Sequence, residues 1–246
     1  MKLNCDLGES FGIWKMGLDE VVMPHIDMAN IACGFHAGDP NVMFNTLQLA
    51  KSYGVEVGAH PGYQDLNGFG RRSIKHTKQE IVNLIVYQVS ALVGMAKTLG
   101  MLVSYVKPHG ALYNDMMANT EVMDAVIEAL SQLNQDAETN IQLMILATGK
   151  WQEHQGLALK RNVKVLFEAF ADRKYTDSGY LLSRGSKGAV LNQQQMLQQV
   201  SDITSNGWVE TESGQKLSLK ADTICVHGDN EAGIEKIKQI RALCQQ

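Results

Sequence analysis

Short apolar runs recur along this chain at Lys2 to Cys5, Met28 to Cys33, Val55 to Ala59, Leu102 to Val106, Gln142 to Ala147, Val163 to Phe167 and Thr223 to Val226. A polar or glycine-containing turn follows each, and in most cases a segment with helical spacing comes next. Runs of this length, apolar on both faces, suit parallel strands covered by helices. The helical segments carry start and stop signals. Asp39-Pro40 offers an N-cap followed by proline in the first turn, with Gly54 as the stop. Thr77-Lys78-Gln79-Glu80 reads as a capping box, after which Ile81, Leu84, Ile85, Gln88, Leu92, Met95 and Leu99 keep close to helical spacing up to Gly100. Val122, Val126, Ala129, Leu130 and Leu133 form a second core-facing stripe, and Ile234, Ile237 and Ile240 a third.

Strand, turn and helix in alternation imply right-handed βαβ units, closed into a barrel or opened as a doubly wound sheet. Polar residues concentrated at the strand ends favour closure. The expected fold is α/β, a single (β/α) barrel of about seven parallel strands over residues 1–246. Segment 206–220 breaks the rhythm and predicts a hairpin excursion turning at Ser213-Gly214.

Length and composition fit this picture. A chain of 246 residues with 45% hydrophobic and 20% charged residues matches one barrel and can fill its core. A net charge of -4, with no basic run longer than Arg71-Arg72, argues against nucleic acid as a partner. The start has no apolar leader and no stretch of about 18 apolar residues reads as a membrane span, so a cytoplasmic protein is expected. Cys5, Cys33, Cys225 and Cys244 lie far apart and form no C-x-x-C pair, so they read as free thiols, mostly buried.

The ionisable residues fall mainly where strands end. Asn4-Cys5-Asp6-Leu7-Gly8-Glu9 follows the first run, and Cys33-Gly34-Phe35-His36-Ala37-Gly38-Asp39 the second. Gly58-Ala59-His60, Lys107-Pro108-His109 with Tyr113, Glu168 with Asp172 and Arg173, and His227-Gly228-Asp229 follow later runs, while Ala147 to Lys150 carries little. In a parallel barrel these ends share one face, the face that carries active sites. His36, His60, His109 and His227 are therefore read as functional, whereas His25, His76 and His154 fall off the pattern. Asp39 and Asp229 read first as helix N-caps. Lys107 ends an apolar strand and needs a buried counter-charge. Arg71 and Arg72 offer a clamp for a carboxylate or phosphate. Gly149-Lys150 lacks the upstream glycine of a P-loop, and neither G-x-S-x-G nor H-E-x-x-H occurs.

The stretches Asn4 to Gly12, Ala29 to Pro40, Gly58 to Tyr63, Gly68 to Arg72, Val106 to Asn114, Glu168 to Arg173 and Val226 to Asp229 together resemble the LamB/YcsF family, the A subunits of 5-oxoprolinase. The resemblance implies a barrel of the glycoside hydrolase/deacetylase type. It also implies cleavage of 5-oxo-L-proline to L-glutamate, coupled to ATP hydrolysis and carried out with 5-oxoprolinase subunits B and C. Under that reading Asp6 or His109 is the general base, and Lys107 and His36 stabilise an oxyanion or phosphate. Arg71, Arg72 or Arg173 then holds the substrate carboxylate. His60 and His227 join the catalytic candidates, with Asn4, Tyr113 and Glu168 among the binding residues. Metal-dependent barrels of that type commonly carry two adjacent aspartates after the first strand, whereas Leu7 follows Asp6 here. Asp6, His36 and His60 are the first ligands to test for a divalent metal. Two other functions compete: a metal-dependent deacetylase of an acylated sugar, and a non-catalytic subunit that senses a metabolite.

Overall fold

The computed structural model describes residues 1–135, 139–227 and 231–245. Seven parallel strands close in the order β1 (Lys2–Leu7), β2 (Met28–Ala32), β3 (Glu56–His60), β4 (Val103–Val106), β5 (Gln142–Leu146), β6 (Val165–Phe170) and β9 (Thr223–Val226). β9 closes the ring by pairing with both β6 and β1. The other two strands, β7 (Trp208–Glu210) and β8 (Lys216–Ser218), form an antiparallel hairpin in the segment expected to leave the barrel.

Strand alternation sorts side chains into two environments. Leu3, Cys5 and Leu7 on β1, with Ala29 and Ile31 on β2, belong to the large apolar layer between barrel and helices. The inward positions hold a smaller plug of Met28, Tyr105 and Met144, and above it lie Asn4, Asp6 and Asn30. The Tyr105 ring fills the space where Gly58 lacks a side chain, since a Cβ there would overlap the ring. Gly58→Ala should therefore displace the ring at a cost of about 1–3 kcal/mol. Calorimetry should show a melting temperature several degrees lower, and an unchanged value would mean the barrel interior has slack there.

The helix signals behave as their chemistry requires. Asp39 caps Pro40–Tyr53 by accepting from the Asn41 and Val42 amides, and Gly54 ends that helix at φ 65°. Thr77 and Glu80 form a reciprocal capping box at the start of Lys78–Thr98. This helix is long and apolar enough to cross a membrane by length and composition. Ile81, Ile85, Val89 and Leu92 are nevertheless buried, and it packs on helix Thr120–Leu133 and on β3 and β4. Ile234, Ile237 and Ile240 are buried as their spacing predicts. Asp229, read as an N-cap, lies outside the described residues.

Candidate active site

At the carboxyl ends of the strands the polar residues gather in two tiers. In the lower tier Lys107, one residue past β4, places Nζ 3.0 Å from Asp6 Oδ1, 3.0 Å from Glu168 Oε2 and 3.0 Å from Cys225 Sγ. The Tyr105 hydroxyl donates to Asn30 Oδ1 at 2.6 Å, which fixes the amide so that Nδ2 donates to Asp6 Oδ1 at 2.7 Å and to Asn4 Oδ1 at 2.8 Å. Asn4 in turn donates to Thr223. Burial pushes the Asp6 carboxyl up, but Lys107 and then His60 outweigh burial and hold it well below the usual carboxylate range. Burial likewise opposes the Lys107 ammonium, yet Asp6 and Glu168 keep it charged well beyond the ordinary range of lysine.

The upper tier is made of Glu9, His36, His60 and His109, all buried. His60 donates from Nδ1 to the Lys107 carbonyl at 2.6 Å, and His109 donates from Nε2 to the Phe69 carbonyl at 2.8 Å. The remaining ring nitrogens, His60 Nε2 and His109 Nδ1, lie 3.0 Å apart. His36 stacks on His109 with ring centroids 3.7 Å apart and sets Nε2 3.3 Å from Glu9 Oε1. Burial, reinforced by the neighbouring histidines, holds His36 and His109 well below the ordinary imidazole range, so both are neutral. The loop above is shaped to hold these rings. Gly70, at φ 63°, has no room for a Cβ between His36 and His109, and Phe69 is itself held left-handed at φ 53°.

A cavity of about 540 Å³ opens over both tiers. Asp6, His60, Lys107, His109 and His227, all at strand ends, line it together with Arg71, Tyr113 and Arg173. His36 stands behind His109. Asn4 and Glu168 have no exposed surface and lie one layer below, where they brace the cavity floor rather than line it. Arg72 is elsewhere: its guanidinium pairs with Asp65 and stands out toward solvent. Tyr113 is buried, and burial together with Glu168 holds its hydroxyl un-ionised. His227, which lines the cavity, donates from Nδ1 to Asp172 at 2.9 Å and stacks on the Phe170 ring.

Two parts of this site carried little signal in the sequence. Glu9 lies within the first motif but became significant only when the turn after β1 brought it against His36 and His109. The long connection after β6 contributes Tyr180, Leu181, Leu182, Ser183 and Arg184 to the cavity wall. Tyr175, in that connection, bridges both to Leu181 and to Thr211 in the hairpin, so the excursion props the wall. Arg173 is buried, and burial followed by repulsion from Arg184 lowers its guanidinium to about 10. Arg71 lies over the Phe69 ring at 4.9 Å. Arg71, Arg173 and Arg184 all line the wall, where the Arg173 guanidinium donates to the Leu182 and Ala189 carbonyls.

Glu9, His36, His60 and His109 each offer a ligand atom within 4.8 Å of the others, a donor set that can hold a divalent metal. Asp6, Cys225 and His227 are similarly close, but the Lys107 ammonium lies between the first two of them. Of the first ligands expected, His36 and His60 fall in this cluster with Glu9 and His109, whereas Asp6 sets Oδ1 on Lys107 and Asn30 and Oδ2 3.6 Å from His60 Nε2.

A family model described as the LamB/YcsF family matches residues 1–246. The chain is 53% identical over 242 residues to a Vibrio campbellii protein named as the A subunit of 5-oxoprolinase, covering 98% of this chain and 94% of the relative. A Pseudomonas putida protein, named as a second A subunit of 5-oxoprolinase, is 50% identical over 240 residues, covering 97% and 92%. Among solved structures, the lactam utilization protein from Thermus thermophilus superposes with a TM-score of 0.86 at 32% identity, covering 100% of this chain and 94% of that one.

Proposed function

The chain belongs to the LamB/YcsF family, and from that premise we propose that it is the A subunit of a 5-oxoprolinase, opening the ring of 5-oxo-L-proline to give L-glutamate. The observation that carries this reading is the cavity itself, with cationic groups on its wall and an acid–base pair beside a buried ammonium. The substrate is a small lactam bearing one carboxylate. Arg71 and Arg173, with Arg184 at the rim, recognise the carboxylate, and planar guanidinium suits it better than any other side chain. Water adds to the ring carbonyl carbon, the carbon–nitrogen bond breaks, and the departing nitrogen takes a proton. His227 carries that proton, because Asp172 holds its Nδ1–H and leaves Nε2 to exchange one. Asp6 and His109 are less suited to act as the base. Asp6 is too weakly basic, and both nitrogens of His109 already face protein atoms. Lys107, held in place by Asp6 and Glu168, stabilises the charge that develops on the carbonyl oxygen.

A five-membered lactam is resonance-stabilised and recloses readily, so ring opening needs a driving force. ATP supplies it in this reading by phosphorylating the amide oxygen. The sequence has no P-loop, so the nucleotide is assigned to partner subunits B and C. The purified chain should then release neither glutamate from 5-oxoproline nor phosphate from ATP at a significant rate, and addition of both partners should yield the two products together. Coupled turnover by this chain alone would remove the partners from the mechanism. The deacetylase reading makes a different prediction, release of acetate from an acetylated sugar without ATP.

A further inference from the structure

We propose that the turn after β1, residues 11–18, is a docking prong for a second subunit of the assembled enzyme, which receives it in an apolar slot edged by a carboxylate. The inference rests on the reading of this chain as one subunit of a 5-oxoprolinase. Phe11, Ile13, Trp14, Met16, Leu18 and Val21 are all exposed in this one short stretch, Ile13 at 90% and Trp14 at 66%. Single surface hydrophobics are ordinary, but a set gathered on one loop marks an interaction site. The loop is built to hold that exposure. Phe11 and Trp14 exchange backbone hydrogen bonds of 3.0 and 2.9 Å across Gly12-Ile13, and their rings stack with centroids 6.4 Å apart. Ser10 Oγ donates to the Met16 carbonyl and accepts from the Met16 amide, closing the loop at its base. Asp39 accepts from the Gly12 amide, and the Ser10 carbonyl accepts from Gly38, so the connection after β2 braces the prong. An element fixed beforehand loses less entropy when it docks. Tryptophan, moreover, is among the residues that most often carry the energy of an interface.

Charge selects the occupant. Lys15 stands exposed between Trp14 and Met16, with no ion-pair or hydrogen-bond partner among the described residues. The charged residues that flank it along the chain, Glu9, Asp19 and Glu20, are acidic. The stretch therefore lacks the run of cations that draws an apolar element to an anionic lipid surface. One cation set among apolar side chains is instead complementary to a protein slot with a carboxylate at its edge. Position points to the same occupant. Glu9, two residues before Phe11, lines the cavity, so a subunit that grips the prong lies beside the cavity mouth. A partner that supplies a labile phosphorylated lactam has to release it there, before water consumes it.

The experiment reads assembly rather than turnover. Affinity of the full chain for subunits B and C, measured by sedimentation velocity, should fall at least about 30-fold when Ile13→Ser and Trp14→Ser are combined. Leu102→Ser is the control and should leave affinity unchanged, since Leu102 is 78% exposed just before β4, at the opposite end of the barrel. Lys15→Glu should weaken assembly several-fold at low salt and less at high salt. Thermal melts verify folding, and Ile13→Ser alone serves if the double variant does not fold. Wild-type affinity in the double variant would overturn the prong and leave the subunit reading standing, whereas a wild-type chain that does not assemble would overturn both. Unchanged affinity of Lys15→Glu at low salt would remove the carboxylate from the slot. The chain alone is also tested for self-association and for binding to phosphatidylcholine–phosphatidylserine vesicles. Either one, if abolished in the double variant, would put a second copy or a membrane in the partner's place and overturn the assignment.

Discussion

Lys107→Met is expected to abolish glutamate formation by the assembled enzyme and to destabilise the chain as well. The variant keeps the length of the side chain and removes the charge, leaving Asp6 and Glu168 in the barrel without the cation between them. Breaking one side of a buried ion pair costs about 3–5 kcal/mol, which for a chain of this size lowers the melting temperature by roughly 6–20 °C. Removing the developing charge's stabiliser lowers turnover by about 10²–10³-fold in comparable sites. A double-mutant cycle separates the two effects. Adding Asp6→Asn to Lys107→Met should recover part of the lost stability, because one uncompensated carboxylate is gone, while activity stays lost. If Asp6→Asn changes stability by the same amount in the wild-type and the Lys107→Met backgrounds, Asp6 and Lys107 are not coupled.

His227→Gln should leave the fold intact and lower turnover by about 10²–10⁴-fold, the range that a positioned acid–base group contributes. His227 lies at the cavity edge with its side chain 14% exposed, so its replacement opens no void in the core. Asp172→Asn is the sharper test. Its amide can donate to His227 Nδ1, which moves the ring hydrogen to Nε2 and closes the lone pair that the mechanism uses. Steady-state rates of both variants with the partner subunits present measure this directly. If Asp172→Asn turns over normally, Asp172 does not set the tautomer and His227 is not the proton carrier.

The barrel was legible because its strands are short, apolar on both faces and spaced by capped helices. Even the break at 206–220 corresponds to the antiparallel excursion. The strand-end rule located the face, since His36, His60, Lys107, His109 and His227 all gather about one cavity. Finer roles were hidden because they depend on direction. Asn30 and Tyr105 lie in runs that read as strand, and nothing local says that alternation turns them inward to brace Asp6. Arg72 adjoins Arg71 in sequence, yet the turn begun at Asp65 uses one as its own counter-charge and leaves the other over Phe69. Arg184 lies far beyond the end of β6, in a connection with no strand-end signature, and reaches the wall because Tyr175 ties that connection to the hairpin.

The most direct measurement assembles the complex with subunits B and C around either the wild-type chain or the chain carrying both Lys107→Met and His227→Gln, and follows glutamate and phosphate release together. Pull-down by the partners establishes that the variant is incorporated. Coupled release is predicted from the wild-type complex, and loss of glutamate by at least about 10³-fold from the variant complex. Undiminished glutamate release from an assembled variant complex would contradict the claim that this cavity opens the lactam ring.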